Sequence, residues 1–245
     1  MPKFFVNQEQ ILNNEIKIIG EDVNHIKNVL RLEIGDSLKI CSKETTENYE
    51  CEIKQINKEF VECQIIKKVI DSNESDIYIH IFQGLPKSDK MEFIIEKSTE
   101  IGVKEITPVI MKRTIVKLDN KDKIKKITRW QKIAEVAAKQ SQRDQILKVN
   151  NIINFDNIIE KMKEYDIVLI AYENEKDTTL KSVLKNIKKC KQIKIAIIIG
   201  PEGGIDESEI EKLKQYKTIT LGKRILRTET APIVMASNIL YELEE

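Results

Sequence analysis

The chain has 245 residues, of which 41 are Lys or Arg, 40 are Asp or Glu, and 41% are hydrophobic. Its length is sufficient for one large domain or two modest ones, each with its own core. Because positive and negative charges nearly cancel, the composition excludes a globally basic protein, and any surface for nucleic acid has to be local.

The cysteines and histidines show no metal-binding pattern. The cysteines are Cys41, Cys51, Cys63 and Cys190, without C-x-x-C spacing, and His25 and His80 are far apart in the chain. The N-terminal residues lack the apolar stretch of a signal peptide, and no window approaches the roughly 18 apolar residues of a membrane span. We therefore expect no metal, no membrane partner, and a reduced, cytoplasmic protein.

Residues 1–72 predict a small β-barrel. Segments rich in β-branched and aromatic residues predict strands at 37–41, 49–56 and 60–67. A short helix is predicted over residues 21–31. The apolar residues that share one face of this helix are Val23, Ile26, Val29 and Leu30. The small, polar stretch at 71–75 predicts the end of this domain.

Residues 73–245 predict an α/β domain in which apolar strands alternate with helices. The predicted strands are 77–82, 105–110, 166–171, 193–200 and 218–221. The predicted helices are 91–101, closed by Gly102, then 123–142, 178–188, one from 206 and one reaching the C-terminus. Uniformly apolar strands separated by helices indicate a parallel sheet that is covered on both faces.

A glycine-rich loop, Gly200-Pro201-Glu202-Gly203-Gly204, separates a predicted strand from a predicted helix. Such a turn can hold a phosphate, but no lysine follows Gly204 and the spacing is not G-x-G-x-x-G. Asp206 and Glu209 are spaced as a capping box that would occupy the free N–H groups of the helix. Because Glu202 and Glu207 add further negative charge, the loop disfavours a polyphosphate. An ordinary strand-to-helix turn is the alternative interpretation.

A second loop, within residues 218–234, repeats this architecture with a turn at Gly222. Either Thr228 or Thr230 is predicted to cap the last helix, with Pro232 in its first turn. Ile225 and Leu226 are apolar residues that a simple connection does not require. Two adjacent strand ends then offer glycine backbone and apolar side chains, which suits an adenosine held without a phosphate cradle.

The two loop segments closely resemble the paired signatures of the ribosomal RNA small-subunit methyltransferase E family. These are IGPEGGIDESEI at 199–210 and LGKRILRTETA at 221–231. Further matching segments are HIKNVLR at 25–31, LPKSDKMEFIIEKSTEIGVKEITPV at 85–109 and RWQKIAEVAAKQSQR at 129–143. The chain departs from the family where Lys3 replaces the usual arginine, where Lys139 replaces the usual glutamate, and where a proline is absent shortly after Arg143.

The resemblance implies methylation of the uracil N3 of one uridine in small-subunit (16S) ribosomal RNA, with S-adenosylmethionine as methyl donor. It implies a PUA-like RNA-binding β-barrel over residues 1–72. It also implies a SPOUT-class α/β domain over residues 73–245, whose C-terminal deep trefoil knot forms the cofactor pocket. The implied assembly is a homodimer, and the implied partner is small-subunit ribosomal RNA or the 30S particle.

The resemblance places the cofactor in the two loops and at neighbouring strand ends. The expected cofactor-binding residues are Ala171, Ile199, Gly200, Pro201, Glu202, Gly203, Gly204, Leu221, Gly222, Ile225, Leu226, Arg227, Thr230 and Ala231. Arg227 is expected to stabilise the uracil anion, and Glu229 to orient the base or to accept its proton. Alternatively, Arg227 and Glu229 only fix the loop through a salt bridge. Arg113 is expected to recognise the uracil, and Glu202 is a less favoured base.

RNA contacts are expected from both domains. The expected residues are Lys3, His25, Arg31, Lys87, Arg129 and Arg143. Lys87 opens a helix, where a cation is unfavourable unless it has a ligand. Residues 121–148 form a local basic segment, with Ile127 and Trp130 expected to pack inward. The alternatives are a half-buried structural His25, an exposed Lys87 without a ligand, and a solvated helix face over residues 121–148.

Two other functions are compatible with the same loops. One is a related SPOUT-class enzyme that methylates a ribose 2′-hydroxyl, since the acceptor residues can differ while the cofactor loops stay the same. The other is a ribosome-assembly protein that binds RNA without turnover. Either would keep the predicted fold.

Overall fold

The computed structural model describes residues 1–187 and 192–244, which form two compact units. Unit 1 comprises Met1–Glu74 and Ala138–Ile146, and unit 2 comprises Ser75–Ala137 and Leu147–Glu245. Cys190, the end of the helix predicted over 178–188 and the last residue of the chain lie outside the described residues.

Unit 1 contains a six-stranded sheet in the order β1-β4-β5-β6-β3-β2. Its strands are β1 (Lys3–Val6), β2 (Ile11–Leu12), β3 (Glu15–Ile19), β4 (Ser37–Ser42), β5 (Asn48–Ile56) and β6 (Phe60–Val69). Strands β1 and β4 pair in parallel, whereas the other pairs are antiparallel. The three predicted strands are confirmed as β4, β5 and β6, while the strands before residue 20 escaped prediction.

The short helix of unit 1 differs from its prediction. Helix α1 (Glu21–Asn24) continues into a π-turn over His25–Val29, where the N–H of Leu30 donates to the carbonyl of His25 at 2.9 Å. Val23 and Ile26 are buried, but Val29 is 64% exposed and Leu30 is 37% exposed. The predicted single apolar face is therefore wrong, because the wider turn rotates Val29 and Leu30 away from the core.

Unit 2 contains a seven-stranded sheet in which every pairing is parallel, as predicted. Its strands are β7 (Tyr78–Gly84), β8 (Glu105–Ile110), β9 (Lys148–Val149), β10 (Ile153–Asn154), β11 (Ile167–Ala171), β12 (Lys194–Ile199) and β13 (Lys217–Ile219). The order is β10-β8-β7-β12-β11-β13, and β9 pairs with β8. The five predicted strands are confirmed, whereas β9 and β10 are too short to show a period.

Helices connect these strands. They are α2 (Lys90–Ile101), α3 (Asn120–Gln140), α4 (Asp156–Lys161), α5 (Leu180–Leu184), α6 (Glu207–Lys212) and α7 (Ala231–Leu243). Gly102 adopts φ 114° directly after α2, which confirms the predicted C-terminal glycine. Helix α3 contributes residues to both units. Within the described residues, none of the helices has the length and apolar character that crossing a membrane requires.

The order of the strands places the two glycine loops at one edge of the sheet. Ile199 at the end of β12 pairs with Gln83 of β7 and with Ala171 at the end of β11, and Ala171 pairs with Ile219 of β13. Because parallel strands end together, the segments after β12 and β13 emerge on the same side. The expectation that these two strand ends are adjacent is wrong, since β11 lies between them.

A buried polar cluster surrounds His80 near the start of β7. One ring nitrogen lies 2.5 Å from the Tyr165 hydroxyl and the other lies 2.8 Å from Thr107 Oγ1, and the side chain is 5% exposed. Burial lowers the pKa of His80 to about 4; Glu105 opposes this shift, while Lys161 and Lys148 add to it. His80 is therefore neutral near pH 7.

We expect the free energy of unfolding to fall as the pH decreases from about 6.5, the ordinary histidine value, toward about 4. The unfolded chain takes up a proton there that the folded chain excludes, with a slope of at most about 1.4 kcal/mol per pH unit. Chemical unfolding at several pH values in this window, for the wild type and for His80→Gln, measures the effect. If the free energy of unfolding depended on pH equally in the two proteins, His80 would not be the source of the pH dependence.

Candidate functional site

The loop after β12 folds tightly against the end of β7. The N–H of Gly204 donates to the Pro201 carbonyl at 2.9 Å, and Gly204 has φ 74°. A Cβ at Gly200 would lie 2.8 Å from the Gly204 carbonyl carbon, and one at Gly84 would lie 2.5 Å from the Pro201 nitrogen. Glycine is needed at these positions because backbone approaches backbone more closely than a side chain permits.

Helix α6 uses its own residues to satisfy its first turn. Asp206 accepts from the N–H of Ser208, and the N–H of Asp206 donates to Glu209 Oε2 at 3.2 Å, which confirms the predicted capping box. Lys112 Nζ lies 2.8 Å from Asp206 Oδ1, and its hydrogen bond holds the pKa of Asp206 well below its usual range. The start of α6 is thus occupied by its own side chains, which disfavours a polyphosphate there.

The loop after β13 leaves apolar and backbone surface uncovered. Ile225 is 87% exposed, and Leu226 is half-buried. Gly222 has φ 119°, and no described atom lies within 4 Å of the Cβ that a side chain would add there. Leu221 precedes this glycine. The loop therefore has room for a flat group beside its backbone.

Thr230, one of the two predicted caps, occupies the N-cap position of α7. Thr230 precedes the helix and Pro232 lies in its first turn, but the Thr230 side chain makes no capping hydrogen bond. The Thr228 hydroxyl instead donates to the Gly200 carbonyl at 2.7 Å. Thr228 therefore joins the second loop to the first rather than capping α7.

Gln83 completes this connection from the end of β7. Its Nε2 donates to Thr228 Oγ1 at 3.0 Å and to the Gly84 carbonyl at 3.0 Å, and its side chain is fully buried. Its Oε1 is buried without a hydrogen-bond partner among the described residues. A buried acceptor of this kind is a place where a donor group of a ligand can bind.

A lysine that the sequence analysis did not select, Lys90, connects the two loops at the surface. Its Nζ lies 2.9 Å from Glu202 Oε1 and 3.3 Å from Glu229 Oε2. Glu202 also accepts from the N–H of Lys87 at 3.1 Å. Burial alone would raise the pKa of Glu202, but these hydrogen bonds hold it below its usual value.

The predicted pair Arg227 and Glu229 is loosely associated. Arg227 Nη1 lies 3.9 Å from Glu229 Oε1, and the Arg227 side chain is 83% exposed whereas that of Glu229 is 16% exposed. Lys90, at 3.3 Å, is therefore a closer cationic partner of Glu229 than Arg227 is. This geometry does not favour a salt bridge as the main role of Arg227, because its guanidinium extends into solvent.

Arg113 is held against the first loop. Its Nη1 donates to the Gly203 carbonyl at 2.9 Å, and its Nε lies 3.4 Å from Asp206 Oδ2. A Cβ at Gly203 would lie 3.1 Å from Arg113 Cβ. The arginine that was expected to recognise a base thus borders the glycine loop.

The structure brings the remaining predicted residues to the same edge. Ala171 ends β11, Ile199 ends β12 and Ala231 begins α7. Glu173, which sequence reasoning missed, reaches this edge from the turn after β11, since a Cβ added at Gly204 would overlap its Oε1. Its position just after a strand end was the available signal.

The residues expected to contact RNA are divided by their burial. Lys3 and Arg143 are each 4% exposed. Lys3 is ion-paired with Asp144, and Arg143 Nη2 lies 2.7 Å from Glu74 Oε2. A phosphate would have to displace a buried carboxylate at either position, so these two expected contacts conflict with the packing of unit 1.

Four expected RNA contacts remain accessible. Arg31 and Lys87 are exposed, and the ring of His25 packs edge-on to Phe4 at 6.0 Å while staying partly exposed. Arg129 is 66% exposed and bonds to Glu92 at 2.8 Å. Trp130 of the basic segment is 2% exposed, as expected, and Ile127 is partly buried.

Comparisons with known proteins agree with this architecture. A family model described as an RNA methyltransferase domain matches residues 73–240, and one described as an RNA methyltransferase PUA domain matches residues 18–66. The chain is 38% identical to ribosomal RNA small subunit methyltransferase E of Bacillus subtilis, over 93% of this chain and 90% of that protein. It is 36% identical to the protein of that name from Mesomycoplasma hyopneumoniae, over 99% and 100% of the two chains.

A solved structure shows the same likeness. Ribosomal RNA small subunit methyltransferase E from Neisseria gonorrhoeae, bound to S-adenosyl methionine, is 29% identical with a TM-score of 0.85, covering 98% of this chain and 97% of that one. The fold and the edge described above thus define a methyltransferase that acts on RNA. The chain belongs to the ribosomal RNA small subunit methyltransferase E family.

We expect Thr228→Val to destabilise unit 2 by about 2–4 kcal/mol, because it leaves buried hydrogen-bonding groups of Gln83 and Gly200 without their partner. Thr228→Ser keeps the hydroxyl and is expected to cost less than about 1 kcal/mol. Urea unfolding of both variants measures the difference. Equal free energies of unfolding for Thr228→Val and Thr228→Ser would show that the Thr228 hydroxyl does not stabilise the contact between the two loops.

Proposed function

We propose that this protein transfers a methyl group from S-adenosylmethionine to the uracil N3 of one uridine in 16S ribosomal RNA. The observation that carries the proposal is the pair of glycine loops at one sheet edge, in a chain of the methyltransferase E family. The occupied start of α6 supports a donor without a polyphosphate.

The proposed cofactor fits this edge. The open backbone at Gly222 and the apolar side chains of Ile225 and Leu226 suit an adenine ring. The unpartnered Gln83 Oε1 offers a buried acceptor beneath the loops. When bound, the cofactor supplies an activated methyl group on its sulfonium. The chain's own contribution is to align the acceptor and to manage one proton.

The proposed acceptor explains the charged groups around the loops. Uracil N3 lies on the pairing edge of the base, so the uridine has to be unpaired before it reacts. Arg227, whose guanidinium is exposed, would stabilise the anion that forms as N3 loses its proton. Glu229 would orient the base or accept the proton. Arg113, at the glycine loop, would bind a uracil carbonyl oxygen.

The proposal extends to the assembly of the enzyme. Residues 1–72 would be a PUA-like barrel that holds RNA, and residues 73–245 a SPOUT domain with a C-terminal trefoil knot. We propose a cytoplasmic homodimer that acts on small-subunit ribosomal RNA or the 30S particle. The matches to an RNA methyltransferase domain and to its PUA domain support the division into an RNA-holding barrel and a methyltransferase domain.

The function is tested with small ribosomal particles from a strain that lacks the gene. The particles are incubated with the protein and labelled S-adenosylmethionine, and the modified nucleosides are identified by mass spectrometry. We expect 3-methyluridine at a single position. A 2′-O-methylated nucleoside would instead support the ribose-specific alternative, and RNA binding without transfer would support the assembly protein.

We expect Arg227→Ala to lower kcat about 100-fold, because it removes charge stabilisation that matters only as the proton leaves. Arg224→Ala, an exposed arginine of the same loop, is the matched control and is expected to keep wild-type kcat. Steady-state transfer to small subunits measures both. Equal losses in the two variants would rule out a specific role for Arg227.

We expect Lys90→Met to weaken S-adenosylmethionine binding about tenfold, because the two loops lose the cation between Glu202 and Glu229. Lys90→Arg keeps the charge and is expected to bind near wild-type strength. The control is Lys97→Met on the same helix, where Lys97 pairs with Glu96 and Glu100 of that helix. Titration calorimetry measures the Kd of S-adenosylmethionine for each variant. An unchanged Kd in Lys90→Met would contradict a role of Lys90 in holding the two loops.

A further inference from the structure

A second concavity lies at the opposite, amino edge of the unit 2 sheet. It is about 440 Å³ in volume, within the range of small-molecule pockets. The register aligns Tyr78 with Lys194, and Glu105 with both His80 and Lys148, so the starts of three strands and of β9 form its wall. Along β7 this edge is about 20 Å from Gly84, so it is separate from the glycine loops.

The floor of this pocket is a carboxylate held in a fixed orientation. Glu105 Oε1 accepts from the Tyr78 hydroxyl at 2.5 Å, and Glu105 Oε2 accepts from Asn150 Nδ2 at 2.8 Å. Asn150 Nδ2 also lies 3.0 Å from Thr107 Oγ1. Although burial opposes it, these hydrogen bonds hold the pKa of Glu105 below its usual value. The floor therefore presents fixed acceptors, which suit the hydroxyl groups of a ligand.

The mouth of the pocket is cationic. Three lysines line it, Lys148, Lys161 and Lys194, against two carboxylates, Glu105 and Glu164. Lys148 Nζ lies 3.7 Å from Glu105 Oε1, and Lys194 Nζ lies 6.0 Å from the centre of the Tyr78 ring. In the described part of the chain, Lys161 has no carboxylate partner. His80 contributes no positive charge, since burial lowers its pKa to about 4.

These charges restrict the ligand. An apolar molecule would leave the polar floor without hydrogen bonds. A compact polyanion would be repelled by Glu105. A molecule with one anionic end for the lysines and several hydroxyl groups for the floor satisfies both parts of the pocket.

We propose that the amino edge of unit 2 is a binding site for a ribose phosphate, with the phosphate at Lys161 and its neighbouring lysines and the sugar hydroxyls on Glu105 and Asn150. The site is independent of the proposed methyl transfer, because none of its residues reaches the glycine loops. The ribose phosphate belongs either to a free nucleotide or sugar phosphate, or to the end of an RNA strand.

Titration calorimetry on the full chain with ribose 5-phosphate tests the site. We expect saturable binding that Lys161→Met weakens about tenfold. Lys163→Met is the matched control, because Lys163 lies two residues away, pairs with Glu160 and does not line the pocket. Glu105→Gln is expected to weaken ribose 5-phosphate more than inorganic phosphate. Methyl transfer at the wild-type rate in the lysine variants would show that both are folded.

Several outcomes would overturn the proposal. These are the absence of binding heat, equal affinity in Lys161→Met and the wild type, and inorganic phosphate binding as tightly as ribose 5-phosphate. Two further titrations, one with a 5′-phosphorylated RNA and one with a free nucleotide, identify the source of the ribose phosphate. Tighter binding of a single-stranded RNA with a 5′-phosphate than of uridine 5′-monophosphate would identify an RNA end, and the reverse order a free nucleotide.

Discussion

The two loops at the carboxyl edge depend on one buried chain of hydrogen bonds, from Gln83 through the Thr228 hydroxyl to the Gly200 carbonyl. Strand pairing alone does not bring the loops together, since β11 separates β12 from β13. The Thr228 hydroxyl spans this gap because it accepts from one neighbour and donates to the other. Lys90 repeats the connection at the surface, where Glu202 and Glu229 approach the same ammonium group.

Much of this architecture could be predicted because the signals are local. The parallel sheet follows from apolar strands that alternate with helices, and the capping box follows from Asp206 and Glu209 three residues apart. The glycine loops were predicted because each follows an apolar strand and precedes a helix in the sequence. The order of the strands has no local signal, which is why the position of β11 between β12 and β13 was not foreseen. The π-turn at His25–Val29 also escaped, since its apolar spacing resembles that of an ordinary helix.

The residues of the candidate site also divide into those with a local sequence signal and those without one. Those inside the two motifs were predicted, whereas Gln83 and Lys90 contact partners more than a hundred residues away. Lys3 and Arg143 show the opposite error, because a cation in a sequence does not reveal whether a carboxylate is buried beside it. In the structure Lys3 meets Asp144 and Arg143 meets Glu74, far along the chain in both cases. Charge that was assigned to RNA is thus partly used to hold unit 1 together.

Unit 1 is built from two segments that are far apart in the chain, and this affects how the protein folds during its synthesis on the ribosome. Its sheet is complete by residue 69, but Ala138–Ile146 belongs to the same unit. Until that later segment emerges, the nascent N-terminal part holds Lys3 and Glu74 without the Asp144 and Arg143 that neutralise them. The first unit therefore finishes folding only after part of the second has been synthesised. A fragment cut after residue 74 would carry the same uncompensated charges.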